Sequence, residues 1–281
     1  MRPLIPIFLL ISSFAYTLLP LESLANNLSQ SFNRGIDKYK NGNYSGAIYE
    51  FTKEIETNSN NANAYYNRGL AHSKLEKYFS AISDYSKAIS VNGNDASFYR
   101  NRGVAKAKLN DYVGAVRDHN QAILIDPNDV ISFRNRGHFK SKLRDYDGAI
   151  RDYNVVINLT PNDFISLRNR AFYKSKLRDY DGAISDYNKI IEMNPNDIIS
   201  YYNRGNFKTK SQDYVGAIID YNKVIEMNPN NYITYRNRSF AKWKFGDQKG
   251  SCDDQKKAIL LGDKRAARWI ETLPGAWCRE M

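Results

Sequence analysis

The chain has 281 residues, 42% of them hydrophobic, and a net charge of +11. Its length suggests one or two globular domains with a sizeable core. The basic balance favours acidic partners such as acidic peptides, anionic lipid headgroups, cell-wall polymers or nucleic acid, although lysines and arginines spread through the whole chain equally describe an evenly charged, soluble surface.

Residues 1–25 open with Arg2, continue through an apolar run from Leu4 to Leu19, and end on Ser23-Leu24-Ala25. That order of a positive start, a short apolar stretch and a small-x-small exit reads as a secretory signal cut after Ala25. The alternative is an uncleaved anchor, against which the run is interrupted by Pro6 and bounded by Pro20, and is short for a span of about 20 residues. No later stretch is apolar enough to cross a membrane. The expectation is an exported protein, periplasmic or extracellular, with no transmembrane span once the signal is removed and membrane-anchored if it is retained.

Beyond the signal one unit is copied. The asparagine of an Asn-Arg pair recurs at Asn33, Asn67, Asn101, Asn135, Asn169, Asn203 and Asn237, always 34 residues on. A fixed period of this length overrides the globular expectation and makes residues 26–262 one repeat array, with copies starting near Leu28, Ala62, Ala96, Val130, Phe164, Ile198 and Tyr232. The clearest copy runs from Val130 to Asp163. Asp129 is placed to cap a first helix over Val130 to Leu143, because its carboxylate can accept from the free N–H groups of the first turn. Tyr146, Ala149, Ile150, Tyr153, Val156 and Ile157 then fall at helical spacing and form one apolar stripe, capped by Asp145. Pro161 cannot continue that helix. Gly137 and Ala149 let the two helices approach closely. One such hairpin cannot bury its stripe alone, whereas stacked copies can.

The unit resembles the tetratricopeptide repeat, whose aromatic, Gly, Ala, aromatic and Pro positions are held here by Phe133, Gly137, Ala149, Tyr153 and Pro161. The copy from Ala96 offers Tyr99, Gly103, Ala115, His119 and Pro127; that from Ile198 offers Tyr201, Gly205, Ala217, Tyr221 and Pro229. The resemblance implies an all-α, right-handed solenoid of about seven helix-turn-helix units. There are departures. The residue before the glycine is Arg in every copy, and the glycine becomes Ala171 in one copy and Ser239 in the last.

The end copies differ from the middle ones. The first has Ser31 for the aromatic, Ser59 for the proline and Glu54 at an aliphatic position, the greater polarity expected of a cap. In the last, Gln248, Ser251, Cys252 and Gln255 replace the stripe's Tyr, Ala, Ile and Tyr. Residues 263–281 are expected to form a capping helix from Asp263 to Leu273, burying Trp269 and Ile270, stopped by Pro274 and Gly275 and followed by a tail with Trp277. Cys252 and Cys278 are the chain's two cysteines. In an exported protein they suggest a disulfide tying the tail to the last copy; two free thiols are the alternative. Two cysteines lack the further ligands of a closed metal site.

No catalytic constellation, phosphate loop or metal-binding histidine pair is present, so no enzyme, cofactor or small-molecule substrate is expected. His119 stands in a tyrosine slot and reads as core. His72 occupies a lysine slot and reads as solvated. Arg34, Arg68, Arg102, Arg136, Arg170, Arg204 and Arg238 recur with Glu50 or the aspartates Asp84, Asp118, Asp152, Asp186, Asp220 and Asp254, and are expected to form a ladder of ion pairs between the two helices of each unit.

The resemblance also implies that first helices line a concave groove that takes peptides or partner helices. Matching positions are Ile131, Ile165, Ile199 and Ile233; Arg100, Arg134, Arg168 and Arg236, interrupted by Tyr66 and Tyr202; the asparagines Asn101, Asn135, Asn169 and Asn203 with their equivalents; and His138, Phe172, Asn206 and Phe240. Arginine can clamp carboxylates and asparagine can bond a peptide backbone, which suits an extended acidic peptide. The asparagines serve equally well as bonds between neighbouring units. The leading expectation is a non-enzymatic interaction scaffold; the alternative is a basic helical-repeat binder of nucleic acid or of an anionic cell-wall polymer.

Overall fold

The computed structural model describes residues 21–272 and Cys278, with side chains from residue 30 onward. The apolar run of the expected signal, and Pro274, Gly275 and Trp277, lie outside the described residues.

Among the described residues there are 15 helices and no strand. They form consecutive hairpins. The first is α1 (Leu21–Lys40) with α2 (Tyr44–Thr57), and the second is α3 (Ala62–Lys74) with α4 (Tyr78–Val91). The third to fifth are α5 (Ala96–Lys108) with α6 (Tyr112–Ile125), α7 (Val130–Lys142) with α8 (Tyr146–Leu159), and α9 (Phe164–Lys176) with α10 (Tyr180–Met193). The last two are α11 (Ile198–Lys210) with α12 (Tyr214–Met227), and α13 (Tyr232–Phe245) with α14 (Gln248–Leu260), followed by α15 (Lys264–Glu271). Helix α1 starts at Leu21, ahead of the first copy, so the expected cleavage point after Ala25 falls within it.

The chain divides into two compact units, residues 1–93 and 94–281. In the first, α2 packs on α3; in the second, the second helix of each hairpin packs on the first helix of the next, and α14 packs on α15. The turns follow from local chemistry. Asp129 caps α7 by accepting from Ser132 N, and Asp145 caps α8 by accepting from Gly148 N. The second-helix cap recurs as Asn43, Asp111, Asp179, Asp213 and Asp247. Lys77, in the same slot of α4, makes no side-chain cap.

Small residues set the spacing within a hairpin. A methyl group added to Gly137 would stand 3.3 Å from Ala149 O and from the Tyr153 ring, and one on Gly35 only 2.5 Å from the Phe51 ring. Around these contacts the core is aromatic and aliphatic: Ala149, Tyr153 and Val156 are fully buried, and Tyr173 of the following hairpin stacks on Tyr153 at 5.9 Å.

The array's two ends depart from expectation. Glu54 is buried, because its Oε1 accepts from Nδ2 of Asn61, the cap of α3. A polar residue at the aliphatic position thus ties the first hairpin to the second. In α15, Ala266 is the buried residue, while Trp269 and Ile270 are half-exposed. Cys252 and Cys278 are both buried and form a disulfide, with Cα atoms 5.4 Å apart.

Candidate functional site

Two ladders of charge hold the hairpins. The first is the expected one, complete in all seven copies. Arg136 bonds Asp152 through Nε at 2.9 Å and Nη2 at 2.6 Å, and equivalent pairs run from Arg34–Glu50 to Arg238–Asp254. It carries two parts that the sequence did not suggest. A lysine one turn beyond the arginine, such as Lys140 or Lys174, meets the carboxylate's other oxygen. His72 takes that slot in the second copy, 3.7 Å from Asp84, and is half-buried instead of solvated. The arginine's remaining nitrogen reaches back one copy: Arg136, Arg170, Arg204 and Arg238 donate through Nη1 to Asn120, Asn154, Asn188 and Asn222.

The second ladder concerns the arginines expected to face a partner. Arg100, Arg134 and Arg168 pair with Asp129, Asp163 and Asp197, the caps of the next hairpin, at 2.9, 2.7 and 3.0 Å. Arg236 does the same with Asp263, the cap of α15, at 2.6 Å. Burial would raise the Asp129 carboxyl, but the Ser132 hydroxyl and N–H and the Arg100 guanidinium outweigh it, and its pKa lies below the ordinary value. Asp163 is lowered in the same way by Ser166 and Arg134. The sequence held a clue. Tyr202, which interrupts the arginine row, is followed by the uncharged cap Asn231. At that seam cation and anion are lost together, whereas Tyr66, the other interruption, is followed by Asp95.

The asparagine row divides. Asn169 donates to Tyr153 Oη at 3.4 Å, and Asn237 to Tyr202 Oη at 3.1 Å and Asn206 Oδ1 at 3.0 Å, so these bind neighbouring hairpins together. Asn101 turns back onto Ser97 O of its own helix, and Asn135 is half-buried on α7. His138 is exposed and stands edge-on to Phe139 at 5.8 Å; burial of part of its ring, then Lys142, lower its pKa. Ile131, Ile165 and Ile199 remain 50–60% exposed, consistent with a row that has no partner inside the array.

Phe172, Asn203 and Asn206 are brought together. With Asn237 and Phe240 they line a cleft of about 510 Å³ between α9, α11 and α13, floored by Tyr221 of α12. Tyr221 donates to Asn206 Oδ1 at 2.8 Å, and burial holds its hydroxyl well above the ordinary pKa, so it stays a donor. Two walls are lysines absent from the expected site. Lys176 Nζ stands 4.9 Å from the Phe172 ring and Lys210 Nζ 5.5 Å from the Phe207 ring. Among the described residues neither meets a carboxylate. Both sit at the ends of first helices, where a lysine alone in sequence looks like ordinary solvated charge.

Family profiles described as tetratricopeptide repeat match residues 62–95, 169–197 and 198–231, and a TPR repeat profile matches 35–76. Over those residues the chain carries tetratricopeptide repeats, and the described helices form consecutive packed hairpins like those of its structural neighbours. No curated protein matches the sequence. Among solved structures, the C-terminal part of a TPR repeat-containing protein from Cytophaga hutchinsonii is similar at a TM-score of 0.74 and 20% identity, over 86% of this chain and all of that one. A tetratricopeptide repeat protein from Parabacteroides merdae gives 0.60 and 19% over 88% and 98%. YrrB, described as a TPR protein with an unusual peptide-binding site, gives 0.59 and 18% over 67% and 98%. At these identities the likeness concerns the fold.

Proposed function

We propose that the protein is a non-enzymatic interaction scaffold whose first-helix face binds an extended, acidic peptide segment, centred on the cleft between α9, α11 and α13. The observation that carries this reading is the cleft itself: Lys176 and Lys210 flank exposed aromatic surface and the amides of Asn203 and Asn206. Lysines supply charge to side-chain carboxylates, amides bond backbone, and Phe172 and Phe240 take apolar side chains. Arg100, Arg134, Arg168 and Arg236 border this face while already bound to aspartates, so their part in binding is to shape and charge the wall. The net charge of +11 and the peptide-binding description of a structural neighbour agree with it.

Selection of a random peptide library on the full chain tests the proposal. Selected peptides are expected to be rich in Asp and Glu, and the double variant Lys176→Ala with Lys210→Ala to bind them about tenfold more weakly. Peptides without acidic residues, or unchanged affinity, would overturn it. Salt-dependent binding of RNA at physiological ionic strength, with no peptide selected, would favour the nucleic-acid reading instead.

The same reading places the protein outside the cytoplasm, after removal of residues 1–25. The disulfide supports this, since such bonds persist in oxidising compartments. N-terminal sequencing of exported material is expected to begin at Asn26; a chain retaining Met1 would reject cleavage.

A further inference from the structure

The seventh hairpin lacks a ring that its neighbours have. Tyr153, Tyr187 and Tyr221 fill one slot between the helices of their hairpins and are all but fully buried. Gln255 occupies that slot in α14. It is 5% exposed, and its Oε1 has no hydrogen-bond partner among the described residues. In the slots of Gly137 and Ala149, Ser239 Oγ donates to Ser251 O at 2.9 Å and lies 2.9 Å from Ser251 Oγ, so the two hydroxyls are engaged with one another and not with Gln255. A buried acceptor left unmade is costly, and a group that donates to it recovers that cost.

Gln255 lines a cleft of about 390 Å³ between α13, α14 and α15, with Phe240, Trp243, Trp269 and Arg265 among its walls. Trp243 and Phe240 are exposed, and their rings are 6.0 Å apart. This cleft shares Asn237 and Phe240 with the larger cleft between α9, α11 and α13, so the two are continuous along one face.

We propose that this second cleft receives an aromatic side chain bearing a hydrogen-bond donor, a tryptophan or tyrosine of the bound peptide. Its indole N–H or phenol O–H donates to Gln255 Oε1, and its ring lies against Phe240, Trp243 and Trp269. Edge-to-face and offset contacts suit such a ring, and the polar tip finds its partner inside. Arg265 at the rim takes a neighbouring carboxylate of the same acidic segment. The peptide thereby supplies from outside the ring that the seventh hairpin does not contain. The proposal rests on the reading of the chain as a peptide-binding scaffold and names the residue that fixes the register of the bound segment.

The test is a titration of the full chain, followed by the NMR signals of the Gln255 side-chain amide and the Trp243 and Trp269 indoles. The probes are N-acetyltryptophanamide, N-acetyltyrosinamide and N-acetylphenylalaninamide. The first two are expected to move these signals, and the third to bind about tenfold more weakly for want of one hydrogen bond. Gln255→Tyr restores the internal ring and is expected to abolish binding. Gln255→Leu keeps a side chain of similar size without the acceptor and is expected to equalise the three probes. Unmoved signals, or equal binding of the phenylalanine probe to the unaltered chain, would overturn the proposal. So would probe binding that emerges only after Trp277→Ala, since the chain's own tail would then be the occupant. If library-selected peptides bind while all three probes fail, this pocket assignment falls and the scaffold reading stands; if neither binds, the scaffold reading falls.

Discussion

His119 shows how one residue is set apart by its slot. It replaces a tyrosine, is fully buried, and its Nδ1 meets Ser132 Oγ at 3.1 Å. Burial is the main cause that lowers its pKa to about 4, against which Asp129 and Asp118 pull only partly. The unfolded chain therefore binds a proton near pH 6.5 that the folded chain refuses until about pH 4. The stability this neutral imidazole supports is present above pH 6.5 and lost as pH falls toward 4. The loss is on the order of 3 kcal/mol. His119→Tyr, which installs the residue of the other copies, is expected to remove this acid-side loss. Urea midpoints measured between pH 7 and 4.5 for the two chains would show it; parallel curves would refute the assignment.

At the scale of the element, the hairpin owes its geometry to one arginine with several partners. Arg136 pairs with Asp152, passes a nitrogen back to Asn120, and lays its guanidinium 5.2 Å from the Phe133 ring centroid. Asp152 is 2% exposed, and Lys140 shares it. Asp152→Ala leaves two cations in a partly buried place without a counter-charge, and a loss of about 3–5 kcal/mol is expected. The double variant Arg136→Ala with Asp152→Ala is expected to recover part of it, because the uncompensated charge goes too. Urea unfolding of the three chains measures the coupling, and additive losses would show that the pair does not act as a unit.

This element also marks how far the sequence could be read. The Arg136–Asp152 ladder was legible because both partners recur at fixed places in one copy, and the helix ends were legible from Asp129 and Asp145. Lys140 was not assigned to it, since a lysine on a first helix has many solvated uses. The Arg134–Asp163 ladder was hidden for another reason. Asp163 already had a sufficient role as a cap, and nothing in a single copy shows that a cap faces the arginine of the copy before it. The paired loss at Tyr202 and Asn231 hinted at it, but Tyr66 with Asp95 breaks the pattern. Of the candidate site, Phe172, Asn203 and Asn206 were found from their place on first helices, whereas Lys176 and Lys210 needed the cleft to be seen.

Over the whole molecule the copies are alike except where the array ends. The final hairpin has given up its internal ring and much of its apolar stripe, and the disulfide between Cys252 and Cys278 fastens α14 to the tail, 26 residues on. A loop of that length contributes roughly 3 kcal/mol in the chain-entropy account. Reduction is expected to lower the thermal midpoint and to raise amide exchange first in α14 and α15. Mass spectrometry of the non-reduced protein should find no alkylatable thiol; two alkylated cysteines would contradict the bond.

Because Asp129, Asp163 and Asp197 each stand at the N-cap position of one hairpin and anchor the arginine of the previous one, the seams from the third copy to the sixth are written in the same residues. Excising residues 164–197 as a block would remove Arg168 together with Asp197, leave Arg134 opposite Asp163 and set Asn154 opposite Arg204, with no unmatched charge at the join. The number of turns is thus an adjustable dimension of this molecule, and a gene that slips by one whole copy yields a shorter or longer array instead of a broken one.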